Sequence, residues 1–126
     1  MSSISPGNSF AKKSAFGWLI PILAALLIGI TLRVYFLAQP MRYDEAYTFL
    51  KYVNGSWLDV FRYTLPNNHV LHTALVKVVA QASAAPAALR LPAFAAGVLA
   101  IPLIYRICRL MGSSNSGVFA ALAMAV

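Results

Sequence analysis

The sequence AFGWLIPILAALLIGITLRVYFLA, Ala15 to Ala38, decides the fold, because its only charge is Arg33, close to its end. About 20 consecutive apolar residues are needed to span the hydrocarbon core of a bilayer. The stretch therefore predicts a transmembrane helix over about 16–38. We expect Pro21 to kink this helix near its start, and the Arg33 side chain to extend outward to the membrane interface.

A secretory signal peptide is the competing interpretation of this first segment. Its apolar region would be only about 7–15 residues long and would end in small residues. The run here is longer, and Phe36 stands where a small residue is needed, so we favour an uncleaved anchor. Lys12 and Lys13 precede it. By the positive-inside tendency, residues 1–14 form a disordered cytoplasmic tail.

The composition is that of a membrane protein. Sixty per cent of the residues are apolar, 10% are charged and the mean hydropathy is +0.73, whereas soluble domains carry about 25% charged residues. The net charge of +7 does not indicate nucleic-acid binding, because the basic residues are scattered singly among apolar ones apart from Lys12 and Lys13. The single cysteine, Cys108, excludes an internal disulfide and is expected to be a packing residue.

The remaining segments predict an all-α fold of polytopic transmembrane helices. Residues 39–68 are the longest polar interval and are expected to form an external loop. Further membrane helices are expected over about 69–85 and about 92–110, and the start of another over about 117–126. Because this last run is too short to cross a bilayer, we expect the sequence to be the front part of a longer protein.

The arginines create a conflict in this topology. If the first two helices both cross from a cytoplasmic start, Arg90 lies inside, while Arg106 and Arg109 lie outside, against the positive-inside tendency. Either the second segment is a weak or interfacial helix, or later helices of a longer protein fix the orientation. All three arginines lie at segment ends and are expected to be interfacial anchors.

The external loop has a helical pattern of its own. Apolar residues recur at helical spacing through Tyr43–Val53, which predicts an amphipathic helix on the membrane surface. The members of its apolar face are Ala46, Phe49, Leu50 and Val53. The sequence NGS, Asn54 to Ser56, ends it, and Ser56 with Asp59 resembles a capping box that starts another short helix.

Two of the three acidic residues, Asp44 and Glu45, stand together at the start of that amphipathic helix. Acids in the first turn complement the helix dipole, which is the purely structural interpretation. A carboxylate at the membrane face, close to Tyr43, Tyr47 and Arg42, could also act as a general base. Since adjacent helical residues diverge by about 100°, only one acid points at a substrate, and Asp44 is our candidate.

The polar mouth of the second segment supplies the other candidates. His69 and His72 are three residues apart and could bind a metal, although this spacing is a weak signal and both could be interfacial polar residues. A lysine at the centre of a bilayer costs about 2.5–3.5 kcal/mol. Lys77 should therefore face a partner, a cavity or the interface, and a transporter fragment built around Lys77 is one alternative function.

The order of these motifs resembles the N-terminal part of the C-type membrane glycosyltransferases. A transmembrane helix is followed by RYDEAYT (Arg42–Thr48), PNNH (Pro66–His69) and LRLPAFAAGVLAIPLIYRICRLMG (Leu89–Gly112). The pattern is similar to protein O-mannosyltransferases and to the aminoarabinose transferases of lipid A, and covers residues 16–126. The acid pair is its most specific element.

The resemblance implies a truncated glycosyltransferase membrane domain in the cell membrane. Such an enzyme transfers a sugar, with inversion, from a polyprenyl-phosphate donor to a lipid, glycan or protein acceptor at the external face. Asp44 would be the base, supported by Glu45, and Arg42, Tyr43 and His69 would contact substrate. A divalent metal is possible, and the chain alone is expected to be inactive. The alternative is a small non-catalytic multi-pass membrane protein or assembly subunit.

Overall fold

The computed structural model describes residues 17–62 and 68–126, and within these ranges the secondary structure is helical, without strands. The predicted tail, 1–14, lies outside the described residues. The helices are α1 (Leu19–Leu37), α2 (Tyr43–Thr48), a π-helical turn (Phe49–Val53), α3 (Trp57–Phe61), α4 (Val70–Ala80), α5 (Pro86–Leu89), α6 (Leu91–Leu110) and α7 (Ser114–Ala125). The prediction of an all-α fold is confirmed for the described residues.

Helices α1, α6 and α7 pack together as a bundle. Their shared core contains Ile22, Ala25, Ile101, Tyr105, Ala121 and Ala125. Small residues allow the close approach, as in many membrane helix pairs. A Cβ on Gly29 would lie 2.5 Å from Ile101 Cδ1, and a Cβ on Gly117 would lie 3.0 Å from the backbone oxygen of Tyr105.

Two helices, α1 and α6, are long and apolar enough to cross a membrane. Only 17% of the α1 window and 11% of the α6 window are buried within the protein, which is unlike the core helix of a soluble protein. Helix α4 has 11 residues and is about 16 Å long, roughly half the thickness of a bilayer core. The segment expected to span over about 69–85 is therefore a short helix, and α7, with 12 residues, is also short.

The ends of α1 and α6 bear on the charge conflict. Trp18, which precedes α1, stacks on Tyr105 near the end of α6, with ring centroids 5.6 Å apart. Arg90, which precedes α6, donates hydrogen bonds to the carbonyls of Phe36 and Leu37 at the end of α1. The two helices are antiparallel, so Arg106 and Arg109 lie at the end where α1 begins. The positive-inside tendency is then satisfied if α4 does not cross.

The side chain of Arg33 does not extend outward, contrary to our expectation. Its guanidinium donates hydrogen bonds to the carbonyls of Met124 (2.8 Å) and Ala125 (3.1 Å) at the end of α7, and to Gly29 (3.2 Å) within α1. The last carbonyls of a helix lack intrahelical partners. Arg33 therefore caps α7 from a neighbouring helix.

The segments between α1 and α6 form a cap over one end of the bundle. A second core, made of Val53, Val76 and Leu89, joins the π-helical turn to α4 and α5, and Met41, Phe49 and Ala80 pack against it. The apolar face predicted for Tyr43–Val53 thus packs on protein. Leu50, a member of the predicted apolar face, does not pack on protein and is 69% exposed, while Tyr52 is buried.

The π-helical turn explains this difference. Its backbone bond runs from Asn54 N to Phe49 O, 2.8 Å, closing a wider turn than an α-helix would. The extra residue per turn rotates the following side chains, which brings Tyr52 inward and leaves Leu50 outside. The helix ends at Asn54, and the capping box of Ser56 and Asp59 is present, as predicted.

Candidate functional site

A cavity of about 540 Å³ opens between the cap and the start of α6. Polar and charged residues of three segments meet in it, together with an apolar wall. Its lining residues are Met41, Asp44, Glu45, Thr48, Phe49, Val53, His69, His72, Thr73, Val76, Pro86, Leu89, Arg90 and Ala93. Apolar pockets with a few convergent polar groups are typical of small-molecule sites.

Asp44 lies at the solvent-exposed edge of this cavity. It is the second residue of α2, directly before Glu45. Because adjacent helical residues diverge by about 100°, the two carboxylates point in different directions. Its carboxylate has no hydrogen-bond or ion-pair partner in the described part of the chain. A carboxylate in this state is available to accept a proton from a bound group.

Glu45, in contrast, is held on both oxygens. Arg90 Nε donates to one oxygen at 3.0 Å and Arg90 Nη2 to the other at 2.5 Å. The backbone N–H of Arg42 donates to the second oxygen at 3.0 Å, as in a capping box. The hydrogen bond from Arg90 is the main reason that the pKa of the Glu45 carboxyl is lowered. Glu45 therefore remains ionised and fixes the start of α2.

Arg90 also joins the cap to the end of α1. Its remaining donors bind the carbonyl oxygens of Phe36 (3.1 Å), Leu37 (3.2 Å), Gln39 (2.6 Å) and Pro40 (2.9 Å). A guanidinium has five N–H groups, and here all of them are used. The Arg90 side chain is only 15% exposed and orders the walls of the cavity, so it has an architectural role that the expectation of an interfacial anchor did not include.

The two histidines lie together on the opposite wall. His69 precedes α4 and His72 is in its first turn. Exclusion of water lowers the pKa of His72, and the neighbouring His69 lowers it further, while Glu45 acts in the opposite direction. The His72 side chain is open to solvent at the cavity. Both rings can donate a hydrogen bond into the cavity while neutral.

Two of the predicted substrate contacts lie elsewhere. Tyr43 is 86% exposed, and neither Tyr43 nor Arg42 lines the cavity. Arg42 contributes its backbone N–H to Glu45 instead. Their neighbour Tyr47 accepts a hydrogen bond from Lys51 at 2.9 Å. Sequence proximity to Asp44 was therefore a poor guide, since residues adjacent on a helix point in different directions.

Lys77 has partners that the sequence could not name. Its ammonium donates to the carbonyls of Val53 (2.7 Å) and Gly55 (2.6 Å), and it lies 5.5 Å from the centroid of the Trp57 ring. These contacts cap the π-helical turn. Lys77 does not line the cavity, which removes the main reason for a transporter built around it.

Asn68 fixes the backbone directly before His69. Its amide nitrogen donates to the carbonyls of Val60 (2.8 Å) and Arg62 (3.0 Å), and its oxygen accepts from the Thr73 hydroxyl at 2.9 Å. The side chain is 2% exposed, so it joins the end of α3 to the start of α4. This role was missed in the sequence, where Asn68 was named only as part of the PNNH motif.

No cluster of three histidine, cysteine or acidic side chains that could hold a metal occurs within 17–62 and 68–126. Asp44, His69 and His72 line one cavity without forming such a group.

Comparison of the chain with protein-family models, with curated proteins and with solved structures finds no match.

Proposed function

We propose that this chain belongs to a membrane glycosyltransferase that transfers a sugar from a polyprenyl-phosphate donor to a lipid, glycan or protein acceptor. The observation that carries the proposal is the contrast between two adjacent acids in one cavity. Glu45 is neutralised by Arg90, whereas Asp44 has no partner among the described residues. The cavity also lies beside the ends of two helices that could cross a membrane, where a lipid-linked donor would be presented.

In this proposal Asp44 is the general base. Its carboxylate takes the proton from the acceptor hydroxyl or amine as that atom attacks the anomeric carbon of the sugar. The new bond to the anomeric carbon forms as the bond to the phosphate oxygen breaks, and the electron pair leaves with the lipid phosphate. Attack from the face opposite the leaving group inverts the anomeric configuration.

The leaving phosphate requires hydrogen-bond donors. Arg90 has none to spare, since its N–H groups already bind Glu45 and four backbone carbonyls. His69 and His72 line the cavity, and their ring N–H groups are candidate donors to the phosphate. An incoming phosphate would also favour the protonated imidazole, because an adjacent negative charge stabilises it.

The test is the substitution Asp44→Asn, made in the protein as its cell expresses it. We expect transfer of sugar from a polyprenyl-phosphate donor in isolated membranes to fall by about 10²–10⁴-fold, the usual contribution of a general base. Asp59→Asn is the matched control, because Asp59 caps α3 and does not line the cavity. Transfer that is unchanged in Asp44→Asn, with normal membrane insertion, would contradict the proposal.

A non-catalytic multi-pass membrane protein or assembly subunit is the second candidate. This candidate is favoured because Arg33, Lys77 and Arg90 all bind backbone carbonyls. These three cations stabilise the fold. In that case Asp44→Asn leaves the cellular phenotype unchanged, while Arg90→Gln is damaging through loss of the fold.

A further inference from the structure

We propose that the end of the bundle opposite the candidate site binds the phosphate of an anionic phospholipid headgroup. A second cavity, of about 530 Å³, lies there between the start of α1 and the end of α6. It is lined by Trp18, Ile22, Pro102, Tyr105, Arg106, Arg109 and Leu110. This inference does not depend on the proposed transferase activity, because the two cavities share no residue.

The charge at this cavity is entirely positive among the described residues. Arg106 and Arg109 are three residues apart and therefore share one face of α6. Both side chains are exposed, and neither forms a hydrogen bond or ion pair with another described residue. The three acidic residues of the chain lie between 44 and 59, in the cap at the other end. An anion from outside the chain is needed to pair the two guanidinium groups.

The aromatic residues of the cavity fit a lipid headgroup. The Arg109 guanidinium lies 5.5 Å from the centroid of the Trp18 ring, and the same ring stacks on Tyr105. Tyr105 is 4% exposed, and its hydroxyl has no hydrogen-bond partner in the described structure. Buried hydroxyls are normally bonded. A phosphate oxygen entering beside Tyr105 would accept that bond.

The depth of the site favours a lipid over a free anion. Arg106 and Arg109 lie in the last turns of α6, a helix that could span a bilayer. Arginine and tryptophan at the end of such a helix lie at the level of the headgroups. Pro102, one turn before Arg106 on α6, would then lie deeper in the membrane and face the first part of the acyl chains.

The test uses Trp18 as the reporter. The chain has two tryptophans, so Trp57→Phe leaves Trp18 as the sole emitter. The purified protein in a neutral detergent is titrated with phosphatidylglycerol or phosphatidylcholine, and the Trp18 emission is followed. We expect a saturable change with phosphatidylglycerol only. Arg106→Gln with Arg109→Gln should weaken binding roughly 30-fold, the effect of two cations at an anionic lipid surface.

Three controls make the result decisive. Lys51→Gln with Arg62→Gln removes the same charge at the other end of the molecule and should bind phosphatidylglycerol normally. Arg106→Lys with Arg109→Lys keeps the charge and should retain most of the affinity, which separates a binding effect from misfolding. Inorganic phosphate is added as a competitor: displacement assigns recognition to the phosphate alone, and no displacement assigns it to the intact lipid. The proposal would be overturned if Arg106→Gln with Arg109→Gln kept its affinity for phosphatidylglycerol. It would also be overturned if Lys51→Gln with Arg62→Gln lost as much affinity as that variant.

Discussion

Arg90 and Glu45 are 45 positions apart in the chain and form a two-point ion pair, with Nε–O and Nη2–O distances of 3.0 and 2.5 Å. The pair joins the start of α6 to the start of α2. Because Arg90 also binds the carbonyls that follow α1, one side chain determines how the cap sits on the bundle. The wall that presents Asp44 depends on this contact.

Arg90→Gln should destabilise the protein more than Glu45→Gln. Loss of Arg90 removes the side-chain donor of the Glu45 carboxylate and one donor from each of four carbonyls, whereas loss of Glu45 leaves most bonds of Arg90 in place. We expect the free energy of unfolding to fall by about 2–3 kcal/mol in Arg90→Gln. In Glu45→Gln it should fall by about 1 kcal/mol or less, since the Glu45 side chain is 36% exposed and water screens the pair. Thermal unfolding in detergent measures both, and equal effects would show that the backbone contacts of Arg90 contribute little.

The contribution of Glu45 to the stability of the folded protein should depend on pH. Its pKa in the folded protein is lowered from the ordinary value of 4.5, so the unfolded chain binds the proton more readily. The stabilisation is therefore fully present above about pH 5 and is lost as the pH falls through the folded pKa. We expect the difference in Tm between the natural protein and Glu45→Gln to shrink below pH 4.5. A difference that stays constant down to pH 3 would contradict the assignment.

Helix α4 should lie on one side of the membrane. In a Cys108→Ala background, cysteines introduced at Leu58, before α4, and Ala84, after it, should react with an impermeant maleimide from the same face of sealed vesicles. A cysteine at Met111, which is 82% exposed, should react from the opposite face, because α6 is long enough to cross. If Ala84→Cys instead reacts from the face opposite Leu58→Cys, and Met111→Cys reacts from the same face as Leu58→Cys, then α4 crosses the membrane and the predicted span over about 69–85 is restored.

Lys77→Met should loosen the cap without affecting the bundle. The change leaves the carbonyls of Val53 and Gly55 without their donor, which costs about 1–3 kcal/mol. The emission of Trp57, which lies beside the Lys77 ammonium, should change as well. Lys51→Met is the matched control, since the Lys51 ammonium contacts the Tyr47 hydroxyl and the rings of Tyr47 and Tyr52, not the carbonyls of Val53 and Gly55. A similar loss of stability in Lys77→Met and Lys51→Met would contradict the role assigned to Lys77.

Much of the architecture could be predicted from the sequence. The apolar runs that became α1 and α6 and the capping box at Ser56 depend on residues close together in the chain, whose hydrophobicity and local hydrogen bonds act without knowledge of the fold. Asp44, Glu45 and His69, which the resemblance names as site residues, line one cavity. The burial of Tyr52 and the contacts of Arg33 could not be predicted, because a π-helical turn and an interhelical cap depend on what packs against each segment.

The sequence by itself determined that this chain is helical and that two of its segments are long and apolar enough to cross a membrane, since both properties follow from local hydrophobicity and length. Only the tertiary structure decided which charges serve the architecture and which face a cavity. Arg33, Lys77 and Arg90 resembled isolated charges in the sequence, yet each one binds backbone carbonyls in another part of the chain. The partner of a buried charge is chosen by packing across tens of residues, and no local pattern records that choice.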